Sequence, residues 1–196
     1  MRISIIGSGY VGLVTGIGFS ELNHHIIFVD VDEAKIKAIN SKKPPIYERG
    51  LEELMKKNKD RYYATTDYNE AILNSELTFI CVGTPSNPDG SINLEYVKSA
   101  SEEIGKALKK KDGFHVVVVK STVLPGTTEE VIKPIIEEES GKVAFKDFGL
   151  AMNPEFLREG SALDDFFNPD RIVIGVRDEM SKSILERAIY RNFKCP

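Results

Sequence analysis

The sequence predicts a doubly wound α/β domain, with a mostly parallel sheet and helices on both of its faces. Apolar runs of strand length alternate along the chain with longer stretches of helical period, as in repeated β-α-β units. The run His115-Val116-Val117-Val118-Val119 has no polar alternation, which is typical of a parallel strand covered on both faces. A length of 196 residues suits one domain. We therefore expect residues 1–196 to form a single domain.

Each predicted strand ends in small or turn-forming residues, after which a helical pattern begins. In chain order, the apolar runs predict strands at 2–7, 26–30, 77–82, 115–120, 147–152 and 171–176, with a weaker strand at 62–65. Helical spacing predicts helices at 10–22, 33–40, 50–58, 68–74, 94–110, 127–138 and 181–192. The fifth of these has the clearest period, with Leu94, Val97, Ile104 and Leu108. Residues 41–50, which include Pro44-Pro45, form a loop rather than an interdomain linker, because periodic segments resume on either side.

Composition and charge exclude several classes of protein. The chain has 26 Lys and Arg against 30 Asp and Glu, a net charge of −4, so it lacks the positive field of a dedicated nucleic-acid binder. No apolar run approaches the ~18 residues that cross a bilayer, and the first run leads into glycines rather than a signal-peptide cleavage site. Two distant cysteines make no disulfide framework, and the three histidines lack partners at metal-ligand spacing. We expect a cytoplasmic protein with no metal, nucleic acid or membrane partner.

The segment Gly7-Ser8-Gly9-Tyr10-Val11-Gly12 follows the first predicted strand directly and opens the first helix. Gly7 permits the tight turn, Gly9 lets backbone N–H groups approach a pyrophosphate, and Gly12 lets the helix pack closely on the strand. Glycines also serve as ordinary turn residues, so the placement between strand and helix carries the prediction. The segment is typical of a Rossmann-like dinucleotide site.

Asp30 ends the second predicted strand, 18 residues after Gly12. A carboxylate there can accept hydrogen bonds from both ribose hydroxyls of an adenosine, although an aspartate at this place can also cap the following helix. Val31 and Asp32 stand where an NADP enzyme would use an arginine for the 2′-phosphate. The sequence therefore favours NAD.

Hydroxyl-bearing residues follow the next two long strands of the predicted sheet. The strand at 77–82 runs into Gly83-Thr84-Pro85, and the strand at 115–120 runs into Ser121-Thr122. The carboxyl ends of parallel strands share one edge of the sheet, where ligands bind. Taken singly, these hydroxyl residues are better explained as caps of loops or helices. Taken with the glycine loop, they favour one cofactor cleft.

The strand at 147–152 leads into Asn153-Pro154-Glu155-Phe156-Leu157-Arg158-Glu159-Gly160. Asn caps helices and Pro suits their first position, so we predict a short helix here, with Glu155 and Glu159 on one face. Acidic residues also stabilise the helix dipole, which alone could explain Glu155. The helix dipole does not explain why the apolar pair Phe156-Leu157 stands next to the charged Arg158.

Six segments in collinear order closely resemble the UDP-glucose/GDP-mannose dehydrogenase family, over nearly the whole chain. They are the glycine loop at 7–12, Pro45 to Leu51, Val82 to Pro85, Lys120 to Val123, Asn153 to Gly160, and Asn168 to Arg171. The last three are far more specific than the glycine loop. Members of that family oxidise the primary alcohol of a nucleotide sugar to a carboxylate with two NAD⁺ in succession. The resemblance implies an NAD-dependent nucleotide-sugar 6-dehydrogenase, with UDP-glucose as the first candidate substrate.

The resemblance also implies roles for individual residues. The implied contacts with NAD are Gly7, Gly9, Tyr10, Val11, Gly12, Asp30, Lys35, Val82, Gly83, Thr84, Ser121, Thr122 and Glu159. The implied contacts with the nucleotide sugar are Glu155, Phe156, Leu157 and Arg158. By resemblance, Thr122 would position a catalytic water or polar group, Glu155 would help to hydrolyse a covalent thioester, and Glu159 would lie near the nicotinamide.

The chain departs from the family pattern in three places. Arg49 stands where the family usually has Pro, and Leu124-Pro125 replaces the usual Pro-Val, both tolerable loop changes. The larger departure concerns the nucleophilic Cys, which in the family lies in a glycine-rich segment of a second domain, after a long helix with a catalytic Lys. Cys195 lacks glycine-rich flanks, and Cys81 falls within a predicted core strand. We expect this chain to be the amino-terminal NAD-binding domain alone and inactive by itself, and its parent enzyme to form a homodimer through the following helix.

Alternatives stay open within and outside the class. The substrate can be another UDP-sugar or GDP-mannose, because base and sugar specificity depend largely on the second domain. From a different class, the chain can be a stand-alone NAD-binding regulatory module. A Lys-bearing helix and a glycine-flanked Cys encoded after Pro196 would favour the enzyme, and a stop codon would favour the module. An unrelated Rossmann dehydrogenase would require the segment from Asn153 to Gly160 to be a coincidence.

Overall fold

Seven strands form one sheet in the computed structural model, which describes residues 1–189. In chain order the strands are β1 (Arg2–Ile6), β2 (His25–Val29), β3 (Tyr62–Thr65), β4 (Leu77–Ile80), β5 (Val116–Val119), β6 (Gly149–Met152) and β7 (Gly175–Val176). Their order across the sheet is β3-β2-β1-β4-β5-β6-β7. Neighbouring strands are parallel except for β6 and β7, which pair antiparallel. The mostly parallel, Rossmann-like sheet predicted from the sequence is confirmed.

Helices cover both faces of this sheet. They are α1 (Tyr10–Glu21), α2 (Glu33–Asn40), α3 (Leu51–Lys57), α4 (Tyr68–Leu73), α5 (Glu95–Leu108), α6 (Lys133–Ser140), α7 (Ala162–Phe167) and α8 (Glu179–Ala188). One apolar cluster joins the sheet to α1, α3, α7 and α8, and a second joins its other face to α4, α5 and α6. Val116 and Val118 of β5 belong to the first cluster, and Val117 and Val119 belong to the second. The unbroken valine run is therefore buried on both faces, as predicted.

The strand order reverses direction at β1, because β2 lies on one side of it and β4 on the other. Ile6 of β1 is in register with Val29 of β2 and with Ile80 of β4, so these three strands end side by side. The loops after β1 and β4 lead to helices on opposite faces, α1 and α5, and leave a crevice at this edge. The topology thus places the glycine loop beside the residues that follow β2 and β4.

The helix predicted at 127–138 begins as a π-helix (Thr128–Ile132) and continues as α6. Pro134 lies in the first turn of α6. A proline within a helix cannot donate the usual backbone hydrogen bond, and its ring crowds the carbonyl four residues earlier. The wider turn of a π-helix before Pro134 relieves that crowding.

The prediction of a short helix at 153–160 is wrong. Residues 153–158 have no regular structure, and the next helix begins only at Ala162. The Glu155 carboxylate accepts the Leu157 N–H at 2.6 Å, and the Arg158 N–H donates to Asp165 at 2.8 Å. These bonds take donors that a helix would use, and Gly160 has a φ of +85°. Glu155 and Glu159 therefore do not share a helix face.

Two further predictions at the carboxyl end of the chain are modified. The strand predicted at 171–176 is reduced to the two residues of β7. One reason is that the Val173 carbonyl accepts the Asn153 side-chain amide at 2.8 Å. The helix predicted at 181–192 corresponds to α8, which ends at Ala188. Residues 190–192 of that prediction, and Cys195, lie outside the described residues.

A buried polar chain crosses the sheet near the amino ends of β1, β4 and β5. Thr78 Oγ1 lies 2.6 Å from both Ser4 Oγ and His115 Nε2. His115 Nδ1 lies 3.2 Å from the Ser75 carbonyl oxygen. Burial, together with the positive charge of Lys111, lowers the pKa of His115 from 6.5 to about 3. His115 is therefore a neutral core residue near neutral pH.

We expect the free energy of unfolding to fall as the pH drops from 6.5 towards 3. In that window the unfolded chain binds a proton at His115 and the native chain does not, so stability is lost at up to about 1.4 kcal/mol per pH unit. Burial also lowers the pKa of His24, which acts in the same direction. Urea unfolding at pH 6.5, 5.5 and 5.0 measures the slope. His115→Asn should reduce this pH slope. His25→Asn, a change at an exposed position, should leave the slope unchanged. Equal slopes in the two variants would contradict the assignment to His115.

Candidate functional site

The glycine loop joins the end of β1 to α1 at the centre of the sheet. Gly7 has a φ of +93°, and its N–H donates to the Val29 carbonyl at 2.8 Å. A Cβ on Gly7 would lie 2.9 Å from the carbonyl oxygen of Cys81. Both the backbone conformation and the lack of space therefore require glycine here. The loop rests on the residue that follows β4.

Gly9 and Gly12 differ in what surrounds them. A Cβ on Gly12 would lie only 1.9 Å from the Gly7 carbonyl oxygen, so α1 packs directly on the loop. A Cβ on Gly9 would meet no atom within 4 Å. Gly9 is the N-cap of α1 and provides no capping side chain, so the first-turn N–H groups, including those of Tyr10 and Val11, are left to a ligand or solvent. An open space beside an uncapped helix N-terminus fits the pyrophosphate of a dinucleotide.

Asp30 follows β2 and holds the glycine loop. Its Oδ2 accepts the Ser8 N–H at 2.7 Å and the Ser8 hydroxyl at 2.6 Å, and its Oδ1 accepts the Asp32 N–H at 3.0 Å. Lys35 Nζ lies 3.6 Å from Oδ2. Burial raises the pKa of Asp30, but the hydrogen bonds and the Lys35 charge outweigh it, so the net pKa lies below the ordinary value. The structure thus brings Asp30 and Lys35 together beside the loop.

The alternative role considered for Asp30, that of a helix cap, belongs to its neighbour. Asp32 is the N-cap of α2, and its Oδ1 accepts the N–H groups of Ala34 at 2.9 Å and Lys35 at 3.4 Å. Asp30 is 9% exposed and directs its carboxylate at Ser8 instead. The carboxylate at position 30 therefore serves the loop rather than the helix.

We expect Asp30→Ala to weaken NAD⁺ binding at least about tenfold, because one hydrogen bond to a charged group is lost. We also expect the variant to show a smaller preference for NAD⁺ over NADP⁺. An ionised Asp30 favours a ribose 2′-hydroxyl and repels a 2′-phosphate. Calorimetric titration of the chain with both nucleotides measures the two affinities. Asp30→Asn, which keeps an oxygen for Ser8 but loses the charge, should also narrow the preference, whereas Asp32→Ala should keep it. Equal affinities of the unmodified chain for the two nucleotides would contradict the ribose role.

The loops after β4 and β5 are tied to each other by hydroxyl groups. Thr84 Oγ1 donates to the Thr122 carbonyl at 2.8 Å, and Ser121 Oγ donates to the Val82 carbonyl at 2.6 Å. These bonds bring Val82, Gly83, Thr84, Ser121 and Thr122 to the same sheet edge as the glycine loop. Thr122 is exposed, so its side-chain hydroxyl is accessible to a ligand.

Lys120 was not among the residues predicted for the site. Its side chain is buried and its Nζ donates to Asn153 Oδ1 at 3.1 Å. The Asn153 amide nitrogen donates to Val173, which fixes the amide with its oxygen towards Lys120. Burial lowers the pKa of Lys120, and the carboxylate of Glu155 opposes that change. The sequence signal was a lysine that directly follows an all-valine strand.

A cavity of about 560 Å³ lies beyond the carboxyl end of β6. Its lining includes Lys120, Asn153, Glu155, Phe156, Leu157, Arg158 and Arg171. The four residues implied to contact a nucleotide sugar therefore share one cavity, and Lys120 joins them. Among the described residues, the lining includes neither the glycine loop nor Thr84, Ser121 or Thr122, so the two groups of predicted residues occupy separate surfaces. These surfaces are adjacent, because the Arg158 carbonyl oxygen at the cavity lies 3.5 Å from the hydroxyl of Tyr10 in the glycine loop.

Charged and aromatic contacts shape the walls of this cavity. Arg158 Nη2 lies 2.5 Å from Asp165 Oδ1, and this hydrogen bond lowers the pKa of Asp165. The Arg171 guanidinium lies 4.4 Å from the centre of the Phe156 ring, a cation–π contact. Exposed Phe156 is thus held by a cation rather than by the core.

A buried carboxylate joins the glycine loop to the segment that ends at Gly160. The Glu48 carboxylate accepts the Tyr10 hydroxyl and, at 3.0 Å, the Gly160 N–H. Glu48 was not predicted as a site residue, although it lies in one of the segments that carry the family resemblance. Glu159, which was predicted, is exposed next to this contact.

The described part of the chain offers no helix that is long and apolar enough to cross a membrane. Within residues 1–189, no three His, Cys, Asp or Glu side chains are grouped so that they could hold a metal ion. Cys81 is buried, and burial raises the pKa of its thiol to about 12. An unreactive thiol at this place agrees with its interpretation as a core residue.

Comparison with known proteins shows two similar curated relatives. The chain is 48% identical over 198 aligned residues to a GDP-mannose 6-dehydrogenase of Pseudomonas aeruginosa, covering 100% of this chain and 45% of the relative. It is 49% identical over 186 residues to a UDP-glucose 6-dehydrogenase of Haloferax volcanii, covering 94% of this chain and 43% of the relative. The chain thus spans less than half the length of these relatives.

Solved structures show the same similarity. A ternary complex of GDP-mannose dehydrogenase from Pseudomonas aeruginosa matches with a TM-score of 0.97 and 47% identity, over 100% of this chain and 45% of that one. A UDP-glucose dehydrogenase from Pyrobaculum islandicum matches with a TM-score of 0.94 and 44% identity, over 100% of this chain and 45% of that one.

The family model that matches describes the NAD-binding domain of the UDP-glucose/GDP-mannose dehydrogenase family, and it covers residues 1–194. The open glycine loop and the ionised Asp30 agree with NAD as the cofactor of this domain. The chain therefore belongs to the UDP-glucose/GDP-mannose dehydrogenase family of NAD-dependent nucleotide-sugar dehydrogenases, whose NAD-binding domain it contains.

Proposed function

We propose that this chain is the NAD-binding half of a nucleotide-sugar 6-dehydrogenase that oxidises UDP-glucose to UDP-glucuronate with two NAD⁺. The observation that carries the proposal is the adjacency of two surfaces at one sheet edge. One is the open glycine loop with Asp30, and the other is the cavity that contains Glu155 and Lys120. A cofactor and a substrate bound to adjacent surfaces can exchange a hydride.

The cofactor side of the site can be described residue by residue. The first-turn N–H groups of α1 would bind the pyrophosphate, and Asp30 would accept the ribose hydroxyls with Lys35 beside it. The loops that contain Thr84 and Thr122 would line the cofactor beyond the pyrophosphate. When bound, NAD⁺ accepts the hydride. The chain supplies orientation for that transfer.

The substrate side would use the residues around the 560 Å³ cavity. Phe156, Leu157 and Arg158 would contact the nucleotide sugar, and Thr122 and Glu159 would lie at the junction with the nicotinamide. Glu155 would act as the base for hydrolysis of a thioester formed by a nucleophilic Cys in a further domain. Buried Lys120 lines the same cavity as Glu155, and its Nζ donates to Asn153 Oδ1 at 3.1 Å.

GDP-mannose is the second candidate substrate. Relatives named for that substrate and for UDP-glucose have nearly the same identity to this chain, 48% and 49%. Base and sugar selectivity would reside largely in the part of such enzymes that this chain does not span. A parent homodimer would likewise form through that part.

Calorimetric titration of the 196-residue chain with NAD⁺, NADP⁺, UDP-glucose and GDP-mannose tests the proposal. We expect NAD⁺ to bind more tightly than NADP⁺. We also expect no sustained formation of NADH when NAD⁺ and UDP-glucose are supplied together, because loss of the nucleophile and of substrate positioning removes several kcal/mol of barrier lowering. Absorbance of NADH measures the turnover.

Two outcomes would overturn parts of the proposal. Failure of the unmodified chain to bind NAD⁺ would remove the cofactor role. Sustained NADH formation that Cys195→Ser abolishes would show that this chain carries its own nucleophile and works without a further domain. Tight NAD⁺ binding by a chain whose reading frame stops at Pro196 would instead support the regulatory module.

A further inference from the structure

We propose that Glu48 is a positioning residue that holds the segment Arg158–Gly160 against the first turn of α1, so that NAD binding and the placement of Glu159 are coupled. The inference rests on the proposed function, because it concerns how the cofactor and substrate surfaces of that site are joined. Three residues form the contact, Tyr10, Glu48 and Gly160, and we call them the clasp.

The clasp joins three segments that are far apart in the chain. Glu48 lies in the loop between α2 and α3, is 5% exposed, and accepts the Tyr10 hydroxyl. The Gly160 N–H donates both to Glu48 Oε2 at 3.0 Å and to the Tyr10 hydroxyl oxygen at 2.9 Å. The Tyr10 hydroxyl also lies 3.5 Å from the Arg158 carbonyl oxygen. Each member of the clasp therefore contacts the other two.

Burial of a carboxylate costs desolvation free energy that its hydrogen-bond partners must offset. The partners of Glu48 therefore indicate its role. The donors that the described residues provide to the Glu48 carboxylate are the Tyr10 hydroxyl and the Gly160 N–H. One comes from the first turn of α1, and the other from the segment that follows the cavity-lining residues 153–158. Burial, together with the hydrogen bond to Glu48, raises the pKa of Tyr10 to about 12. The Tyr10 hydroxyl therefore stays protonated and remains a donor at neutral pH.

The clasp links the cofactor-binding turn of α1 to the backbone beside Glu159. Tyr10 is the first residue of α1, in the turn whose free N–H groups would bind the cofactor. The Gly160 N–H belongs to the peptide that Glu159 begins. A ligand that fixes the backbone of Tyr10 therefore also fixes the backbone beside Glu159, and by linkage the coupling is reciprocal.

Amide hydrogen exchange at Gly160, followed by NMR on the 196-residue chain with and without NAD⁺, tests this coupling. We expect Glu48→Ala to speed exchange of the Gly160 amide about tenfold in the free chain, the fold-change for one lost charge-assisted hydrogen bond. Glu48→Gln, whose amide oxygen can accept both donors, should restore protection to within a factor of about three. NAD⁺ should slow Gly160 exchange in the unmodified chain and in Glu48→Gln, but not in Glu48→Ala.

Glu21→Ala is the matched control, because Glu21 lies at the other end of α1. Its carboxylate accepts Asn58 Nδ2 at 2.8 Å and pairs with Lys57, so it also joins α1 to a distant segment. It should lower the melting temperature without changing exchange at Gly160. A merely structural role for Glu48 would give the same result as this control.

Failure of the inference and failure of the proposed function give different results. NAD⁺ binding with no effect on Gly160 exchange would overturn the coupling and leave the function intact. An unmodified chain that does not bind NAD⁺ would overturn both the function and the coupling. Unchanged Gly160 exchange in free Glu48→Ala would show that Glu48 positions nothing.

Discussion

Gly9→Val is expected to abolish NAD⁺ binding while leaving the melting temperature of the chain almost unchanged. A Cβ on Gly9 would meet no protein atom within 4 Å, and the residue has a φ of −70°, which a side chain tolerates. The same open space is where a pyrophosphate would approach the first turn of α1, so the valine methyl groups would exclude it. Calorimetric titration and a thermal melt measure the two quantities.

Gly175→Val provides the matched control for that variant. Gly175 lies in β7, away from the glycine loop, and a Cβ there would come no closer than 3.7 Å to another atom. The control should keep both NAD⁺ affinity and melting temperature. Retained NAD⁺ affinity in Gly9→Val would show that the ligand approaches α1 from elsewhere, and a large fall in melting temperature would show that Gly9 serves mainly the turn.

Gly12→Ala, three residues further on, is expected to have the opposite effect and to destabilise the fold by at least about 3 kcal/mol, at the upper end of overpacking costs. The new Cβ would lie 1.9 Å from the Gly7 carbonyl oxygen. That oxygen belongs to the backbone, and the Cβ has no rotatable bond by which it could move away. Relief requires α1 to move off the sheet, which loses packing of residues such as Leu13 and Ile17.

Urea unfolding of Gly12→Ala beside Gly9→Ala measures the difference directly. Gly9→Ala should unfold at nearly the same urea concentration as the unmodified chain. A midpoint for Gly12→Ala that matches that of Gly9→Ala would mean that α1 accommodates the methyl group, and the close packing of helix on loop would then contribute little to stability.

The features that the sequence predicted well are those encoded by neighbouring residues. The glycine loop follows its strand directly, and the valine run at 116–119 is apolar at every position because β5 is covered on both faces. Asp30 was proposed as a site residue because it stands at the end of an apolar run. Its bonds to Ser8, however, depend on the pairing of β1 with β2, which the local pattern does not describe.

The features that sequence reasoning missed depend on contacts between distant segments. The segment 153–160 has a good helix cap and a favourable proline, but Asp165 takes the Arg158 N–H and prevents the helix. Glu48 gains its partners from positions 10 and 160, which only the fold brings together. Lys120 is buried because Asn153, at the end of the adjacent strand, offers it an oxygen.

The strand order also has a consequence for synthesis of the chain on the ribosome. β1 pairs with β2 early, but its other edge waits for β4, whose last residue, Ile80, lies 74 positions after Ile6. At about 5–20 residues per second, that apolar edge stays unpaired for roughly 4–15 s. During this time the glycine loop lacks one of its packing contacts, because the Cys81 carbonyl against which Gly7 packs is not yet in place. The nascent chain is therefore most exposed to misassociation before the emergence of β4, and the nucleotide site takes shape only after the central strands have joined.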